Sequence, residues 1–295
     1  HVLTLGASLT ISGSDHSITF AKDDPGLIDA AGNALTFEDV VLRDFSPSSL
    51  SLSGGSVLFG DGTTVEMSDN TSLLASDYTM SFDGYTELNC FGNEFDISQM
   101  EHAMDVLVGS TLVINNARIK GLGGSSGTSY INNLKCLGPD STLALNNCEL
   151  LMEDNYSFTE GYLSIYQDTS ISGPENPAGT PLVFAYQSPQ VATIHSTGKL
   201  MLDRYITFSY DPPVAQKDLL VMEDATSILH LNGCTLFSTA TGLELTGGRL
   251  IVEDKVTIQN DATSQSEAMV LKDPLEIDVL SGGVFDLTLG LLEYQ

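Results

Sequence analysis

The sequence predicts an all-β protein, a single-stranded parallel solenoid that carries one short inserted helix. Three observations favour this fold: a repeated strand–corner–strand frame, Asn and Gly residues at the corners, and the near absence of helical patterns. Hydrophobic residues make up 42 % of the 295 residues, which is enough for a continuous core. No shift in composition divides the chain, so we expect one solenoid domain over residues 1–295.

The repeated frame is eight residues long. Apolar residues fill its first, third and eighth places, a small residue the sixth, and Asn or Gly often the fourth and fifth. The alternation predicts a short strand with one buried face, and the Asn or Gly pair permits a sharp corner. The irregular spacing of the copies is typical of a solenoid with variable corner loops. The clearest copies span 112–119, 143–150 and 229–236, and further copies span 35–42, 50–57, 243–250 and 278–285.

One segment departs from the strand pattern. Ser98 and Glu101 have the spacing of a capping box, which favours a helix start. The apolar residues that follow recur at helical spacing, so the sequence predicts a helical insertion over residues 97–109, lying on the side or the end of the solenoid. These apolar residues are Ile97, Met100, Met104 and Leu107.

The frame resembles the parallel β-helix superfamily, the fold of pectate-lyase-like enzymes and of many secreted bacterial surface proteins. More narrowly, it is similar to the Ser/Thr/Gly-rich β-helical repeats of large bacterial surface and adhesin-like proteins. The resemblance covers roughly residues 30–290. It implies a right-handed β-helix, as does the usual crossover rule for parallel strands. It also implies an extracellular or cell-surface location and a non-enzymatic role.

The charge balance and the lengths of the apolar runs each exclude one class of partner. The chain has 39 acidic and 11 basic residues, a formal net charge of −28. A nucleic-acid partner needs a basic footprint that so few Lys and Arg residues cannot provide. No apolar run approaches the length of about 20 residues that spans a bilayer, so we expect no membrane insertion.

A carbohydrate-active enzyme, either a polysaccharide lyase or a glycoside hydrolase, is the alternative function. Polygalacturonase-like members of the superfamily carry Asn-Thr-Asp, paired Asp, Gly-His-Gly and Arg-Ile-Lys motifs. This chain has Arg118-Ile119-Lys120 and the pair Asp23-Asp24, and it lacks the other two motifs. Glycoside hydrolysis needs two carboxylates that face each other across the bond, whereas Asp23 and Asp24 precede a Pro-Gly turn. We therefore assign no catalytic residue.

Calcium is the one ligand that the acidic residues suggest. Three Glu-Asp pairs each follow an apolar run, and stacked coils would bring such pairs into a ladder of oxygen ligands. Repulsion between like charges on adjacent strands opposes that arrangement, so a solvated acidic face is the other interpretation. No cofactor is expected to be required. The candidate residues are Glu153, Asp154, Glu223, Asp224, Glu253 and Asp254.

Asparagines at the corners suggest a structural ladder. Asn116, Asn147 and Asn232 occupy the corner of their frames. Amides at one corner of successive coils can hydrogen-bond to each other along the axis. We expect these three residues to form such a ladder.

The four cysteines and the histidines show no metal-binding pattern. Cys90, Cys136, Cys148 and Cys234 have no zinc-ligand spacing, and buried free thiols are expected, with one disulfide left open. His230 stands between two core positions of its frame, so alternation predicts that it faces solvent.

The two ends of the chain suggest the function. Residues 2–11 and 284–292 both form apolar, alternating patterns without an evident polar cap. Open solenoid ends expose unpaired strand edges, so we expect the strands to continue beyond them, either into a longer polypeptide or, by self-association through the N- and C-terminal coils, into another copy of the chain. The primary hypothesis is a structural, filament-forming or adhesive surface protein. A flat side could also bind a glycan or a host surface, as a glycan-binding module does.

Overall fold

The computed structural model describes residues 2–21, 27–46, 50–51, 54–72, 79–100, 103–124, 132–175, 180–213, 218–239, 243–260 and 269–295. Over these residues the chain forms an all-β parallel solenoid of about 10 turns, which confirms the predicted fold class. The same ranges contain no helix, and hence no candidate transmembrane helix.

Short strands alternate with corners along the whole described chain. In chain order the strands are β1 (Val2–Thr4), β2 (Leu9–Thr19), β3 (Leu27–Asp29), β4 (Ala34–Arg43), β5 (Leu50–Ser51), β6 (Ser56–Phe59), β7 (Thr64–Glu66), β8 (Thr71–Ser72), β9 (Thr79–Phe82), β10 (Tyr85–Asn89), β11 (Glu94–Asp96), β12 (Met104–Val106), β13 (Thr111–Asn115), β14 (Arg118–Leu122), β15 (Leu134–Cys136), β16 (Thr142–Asn146), β17 (Cys148–Met152), β18 (Tyr156–Phe158), β19 (Tyr162–Ile165), β20 (Asp168–Ser172), β21 (Leu182–Tyr186), β22 (Thr193–Ile194), β23 (Lys199–Leu202), β24 (Ile206–Tyr210), β25 (Val221–Met222), β26 (Ile228–Asn232), β27 (Thr235–Ser238), β28 (Glu244–Thr246), β29 (Arg249–Glu253), β30 (Lys255–Asn260), β31 (Met269–Lys272), β32 (Glu276–Val279), β33 (Val284–Leu289) and β34 (Leu292–Tyr294).

The chain passes in turn through three faces, and every strand pairing between turns is parallel. The first face contains the first halves of β2 and β4, then β6, β9, β12 and β15, and continues from β18 by every third strand to β33. The second face contains the second halves of β2 and β4, then β7, β10 and every third strand to β34. The third face contains β1, β3 and β5, and runs from β8 by every third strand to β32.

The core consists of columns of inward side chains that repeat from turn to turn. Leu112, Leu143 and Leu163 occupy the same register on β13, β16 and β19, and all three are buried. Ile114 and Ile119 of the first of these frames are buried as well, as the frame predicts. In-register parallel pairing therefore turns the sequence frame into a continuous apolar core.

Aromatic rings stack along the first face. Phe59 stacks on Phe37 at a centroid distance of 5.9 Å and on Phe82 at 5.3 Å, and the edge of Phe45 meets it at 5.9 Å. A second stack continues the column with Phe158, Tyr186 and Tyr210. Offset stacks of this kind stabilise beyond the area they bury.

The predicted helical insertion over residues 97–109 is wrong. Ser98 lies in a turn, and Met104 begins the strand β12, whose Met104 and Val106 face the core. Asp105 between them is half-buried on the outer side, so the side chains of this segment alternate between the core and the outside as in a strand. The segment forms a strand despite its helical spacing because β12 pairs with β9 on one side and with β15 on the other, and its apolar side chains then join the core. Glu101 lies outside the described residues.

Corners use residues that tolerate positive φ. Asn116 and Asn147 have φ of 50° and 56° where the chain passes from the second face to the third. At Gly161 the φ is 78°, and a Cβ there would lie 2.5 Å from the carbonyl oxygen of Ser141. Asn and Gly at these places follow from the backbone geometry.

All four cysteines are free and buried. Burial raises the pKa of the Cys90, Cys136 and Cys234 thiols to about 12. It also raises the pKa of Cys148. Because the thiolate is the reactive form, these thiols are inert while the chain is folded.

We expect Ellman's reagent to label none of the four thiols in the folded chain at pH of about 8. After unfolding in guanidinium chloride it should label all four, since each thiol regains an ordinary pKa and access to the reagent. A free low-molecular-weight thiol in the same buffer controls for the activity of the reagent. Fast labelling of any cysteine before unfolding would contradict their burial.

Candidate functional site

The three predicted Glu-Asp pairs lie at two different corners. Glu153-Asp154 follows β17, and Glu253-Asp254 stands at the end of β29. Both strands belong to the third face, but β20, β23 and β26 lie between them. Glu223-Asp224 follows β25, which belongs to the second face. The pairs therefore do not stack into one ladder.

Glu223 and Asp224 already accept several hydrogen bonds. The Glu223 carboxylate accepts the backbone N–H of Ser196 at 2.8 Å and lies 3.2 Å from Nδ1 of His195. These hydrogen bonds hold the pKa of Glu223 below its usual range. Asp224 accepts the hydroxyl of Ser196 at 2.6 Å, and its pKa is lowered by that bond and by bonds from Thr226. These contacts tie one turn to the next.

The other two pairs have different surroundings. Partial burial raises the pKa of Glu153. Glu253 lies 3.0 Å from Nε2 of His230, and Asp254 forms an ion pair with Arg204. Within the described residues no three His, Cys, Asp or Glu side chains are grouped to hold a metal ion. Calcium binding at these residues stays a prediction.

The predicted asparagines fall into two places. Asn147 donates to Asn116 Oδ1 at 2.8 Å, from one turn to the next at the same corner. Asn232 lies on the third face and donates to Asp203 at 2.6 Å, far from that corner. The neighbouring position of the frame, which we did not single out, carries a longer ladder. It consists of Asn89, Asn115 and Asn146, with donor–acceptor distances of 2.7 and 2.9 Å.

The basic residues of the Arg-Ile-Lys segment are engaged in ion pairs. Arg118 Nε lies 3.0 Å from Glu149, and Lys120 Nζ lies 2.9 Å from Asp96. Ile119 between them is buried. Asp23-Asp24 lies outside the described residues. The described contacts of Arg118 and Lys120 are therefore cross-strand ion pairs, and we assign no catalytic role to this segment.

The last turn exposes positions that are core in every turn below it. Leu250 and Val252 of β29 are 1 % and 0 % exposed, whereas their register partners Ile277 and Val279 of β32 are 36 % and 56 % exposed. Tyr294 is 58 % exposed above the buried Leu271. We call this apolar end the C-terminal surface. It comprises Ile277, Val279 and Tyr294, which continue core columns, and other exposed apolar side chains of the same turn, namely Leu280, Val284, Leu287, Leu289 and Leu291.

The first turn forms the opposite end, the N-terminal surface of β1 and β2. Val2 and Leu3 are exposed, and Leu9, Ile11 and Ile18 are only partly buried above core positions of β4. In the described chain β1 and β2 each pair on one side only, as do β32, β33 and β34. Both ends thus present one unpaired strand edge on each of the three faces.

The two ends differ in charge. Residues 269–295 contain five acids and one lysine, and residues 2–21 contain Asp15 and His16 as their only titratable side chains. Asp286 on the last turn pairs with Lys255, and this contact and hydrogen bonds from Thr288 hold its pKa well below the usual range. Two C-terminal surfaces would repel each other, whereas the N-terminal surface is nearly uncharged.

A trough of about 700 Å³ lies on the second face. We call it the tyrosine trough. Its rims carry the exposed rings of Tyr85, Tyr162 and Tyr166, and its floor consists of small residues of β13 and β16. The ring of His195 stacks on Tyr166 with centroids 4.1 Å apart and planes 5° apart. The lining is completed by Thr111, Val113, Thr142, Ala144, Asn146, Ser164 and Gln167.

Comparison with protein-family models, curated proteins and solved structures found no match. The parallel β-solenoid is therefore known from the structure alone, and any function must be argued from its surfaces.

Proposed function

We propose that the protein is a non-enzymatic, extracellular structural solenoid that associates head to tail, the C-terminal surface of one copy against the N-terminal surface of the next. The observation that carries this proposal is the exposure of core positions on the last turn, from 36 % at Ile277 to 58 % at Tyr294. A further turn stacked on this end would bury them, as each turn buries the one before it.

The strand edges favour head-to-tail contact. All pairings inside the solenoid are parallel, so a second copy continues the ladder in the same sense only when its first turn meets the last turn. Both ends offer an unpaired strand edge on each face. When two copies pair head to tail, each copy therefore keeps one open end that can bind a further copy. Such a heterologous contact does not close and generates a filament.

The charge distribution favours the same arrangement. The acidic C-terminal surface is disfavoured against a second C-terminal surface and is compatible with the N-terminal surface, which carries little charge. The net charge of −28 keeps the sides of such filaments apart. We therefore propose a filament-forming solenoid with a surface or adhesive role.

Carboxylates placed in the joint should abolish association. In Ile277→Asp/Val279→Asp, each filament joint would bury two unpaired charges, because both residues lie over buried positions of β29, and we expect the association constant to fall at least about 100-fold. Sedimentation velocity over a concentration series, with negative-stain electron microscopy, measures the effect. The matched control is Val221→Asp, because Val221 is an exposed strand valine on a side face.

Complementation tests the polarity of the joint. A chain blocked at its N-terminal surface by Leu3→Asp and a chain blocked at its C-terminal surface by Ile277→Asp/Val279→Asp should each be monomeric, and their mixture should form only dimers. A monomeric wild-type chain at every concentration would overturn self-association. Dimers formed by the Leu3→Asp chain alone would overturn the head-to-tail polarity.

A further inference from the structure

We propose that the tyrosine trough binds a neutral oligosaccharide, with sugar rings on the tyrosine faces and hydroxyls on the neutral polar groups between them. This inference is independent of the proposed function, because the trough lies on the second face, away from both ends of the solenoid.

Register places the two rims of the trough on one column. Tyr85, Thr111, Thr142 and Tyr162 are successive register partners on β10, β13, β16 and β19. Three strand spacings separate the tyrosines, a distance of about 14 Å. The two intermediate strands present only a threonine at this position, so two large rings flank a low floor.

The side chains two residues further along β13, β16 and β19 are also short, so the floor of the trough stays low there. Val113, Ala144 and Ser164 follow each other in register. Ala144 and Ser164 are buried, so little side chain rises above the backbone at this row. The stacked rings of Tyr166 and His195 form a rigid platform at the other margin of the trough. A flat, preorganised aromatic surface loses little conformational entropy when it binds a ligand.

The chemistry of the lining indicates a neutral ligand with many hydroxyl groups. None of the eleven residues that line the trough is Asp, Glu, Lys or Arg. In a chain with a net charge of −28, a site without basic residues disfavours an anion. The hydroxyl groups of Thr111 and Thr142 lie between the rings of Tyr85 and Tyr162, an arrangement that suits sugar rings with apolar faces and polar edges.

Two polar atoms of the lining lack a partner in the described structure. Asn146 Oδ1, at the end of the ladder of Asn89, Asn115 and Asn146, accepts no hydrogen bond. Nε2 of His195 takes part in no hydrogen bond either. An unpaired polar atom that is shielded from water is costly. Both atoms are covered by neighbouring protein atoms, so the sugar contacts proposed for the trough are made by its exposed side chains instead.

The backbone of the trough argues against an extended peptide as the ligand. Strands β10, β13, β16 and β19 are all paired on both sides, so their N–H and C=O groups are occupied. A peptide that binds by strand addition needs a free edge, and the trough has none. A peptide would therefore have to bind through side chains alone.

Binding can be tested with defined oligosaccharides. The neutral probes are hexaoses of β-1,4-glucose, α-1,4-glucose, β-1,4-N-acetylglucosamine, β-1,4-mannose and β-1,4-xylose, and the anionic probe is the hexaose of galacturonic acid. The chain contains no Trp, so its ultraviolet emission comes from its ten tyrosines, three of which line the trough. Calorimetry on the full chain gives the affinities.

We expect at least one neutral hexaose to bind. Tyr85→Ala and Tyr162→Ala should each weaken that binding about tenfold or more, and Thr142→Tyr should abolish it by filling the floor. The control is Phe91→Ala, which removes an exposed aromatic ring outside the trough and away from both ends of the solenoid. Circular dichroism checks that each variant is folded.

Three outcomes would overturn the proposal. The first is that no neutral hexaose binds at millimolar concentration. The second is tighter binding of the galacturonate hexaose than of every neutral probe, which would reverse the argument from charge. The third is an equal loss of affinity in Phe91→Ala and Tyr162→Ala, which would place the binding outside the trough.

Discussion

Phe59→Ala is expected to lower the free energy of unfolding by about 3–5 kcal/mol, the range measured for removal of a buried aromatic ring. Phe59 is buried at the centre of the first-face stack, with Phe37, Phe45 and Phe82 at centroid distances of 5.3 to 5.9 Å. The remaining rings are held by their own strand pairings, so they cannot collapse into the space that alanine leaves. The lost ring contacts add to the cost of the cavity.

The measurement is guanidinium-induced unfolding followed by circular dichroism, combined with hydrogen exchange. Each turn of a solenoid contacts only its neighbours, so protection should fall first in β4, β6 and β9 while β26 and β29 keep theirs. Phe91→Ala is the matched control, because Phe91 is 59 % exposed at a corner. A change below about 1 kcal/mol in Phe59→Ala would contradict the assignment of Phe59 to the core.

The fold class was predictable because the core follows a local pattern. In the frame at 112–119, the apolar positions Leu112, Ile114 and Ile119 are all buried, and Asn116 has the positive φ of a corner residue. Alternation and corner residues act over a few residues and can be recognised in one chain. Stacked turns then follow, because a single turn cannot bury its apolar face alone.

The face to which each frame belongs was not predictable. The frame at 112–119 turns from the second face to the third, whereas the frame at 229–236 turns from the third to the first. The two frames match in sequence, so nothing local distinguishes the corners. This explains why Asn232 lies apart from Asn116 and Asn147, and why Glu223-Asp224 lies at another corner from the other two pairs.

The remaining errors concern residues that are far apart in the sequence but lie side by side on adjacent turns. His230 points outward between Leu229 and Leu231, as alternation predicts, but it is buried there. Burial lowers its pKa, and its ring lies 3.0 Å from Glu253 of the next turn. The tyrosine trough was hidden for the same reason, because Tyr85 and Tyr162 become neighbours on one column only once the register of four strands is known.

Asn133→Leu is expected to destabilise the middle of the solenoid by about 3–6 kcal/mol, because three backbone groups would lose their partner inside the protein. The buried Asn133 amide donates to the carbonyl oxygens of Ile97 at 3.1 Å and Gly121 at 2.7 Å. Its Oδ1 accepts the N–H of Gly123 at 3.1 Å. One side chain thus joins the ends of two successive third-face strands to the chain that begins the next turn.

Leucine matches asparagine in branching and in its number of side-chain heavy atoms and cannot make any of these bonds, so the variant removes the polar contacts and adds only the extra volume of its methyl groups. Hydrogen exchange should show lost protection at the N–H of Gly123 and in β15, with no change in β29 and β30. The matched control is Asn155→Leu, since the exposed Asn155 makes one such bond, to the N–H of Val183 at 2.8 Å, and should cost about 1 kcal/mol or less. Equal effects of the two substitutions would show that the Asn133 contacts do not hold the turns together, and the stability of this region would then have to come from the apolar columns alone.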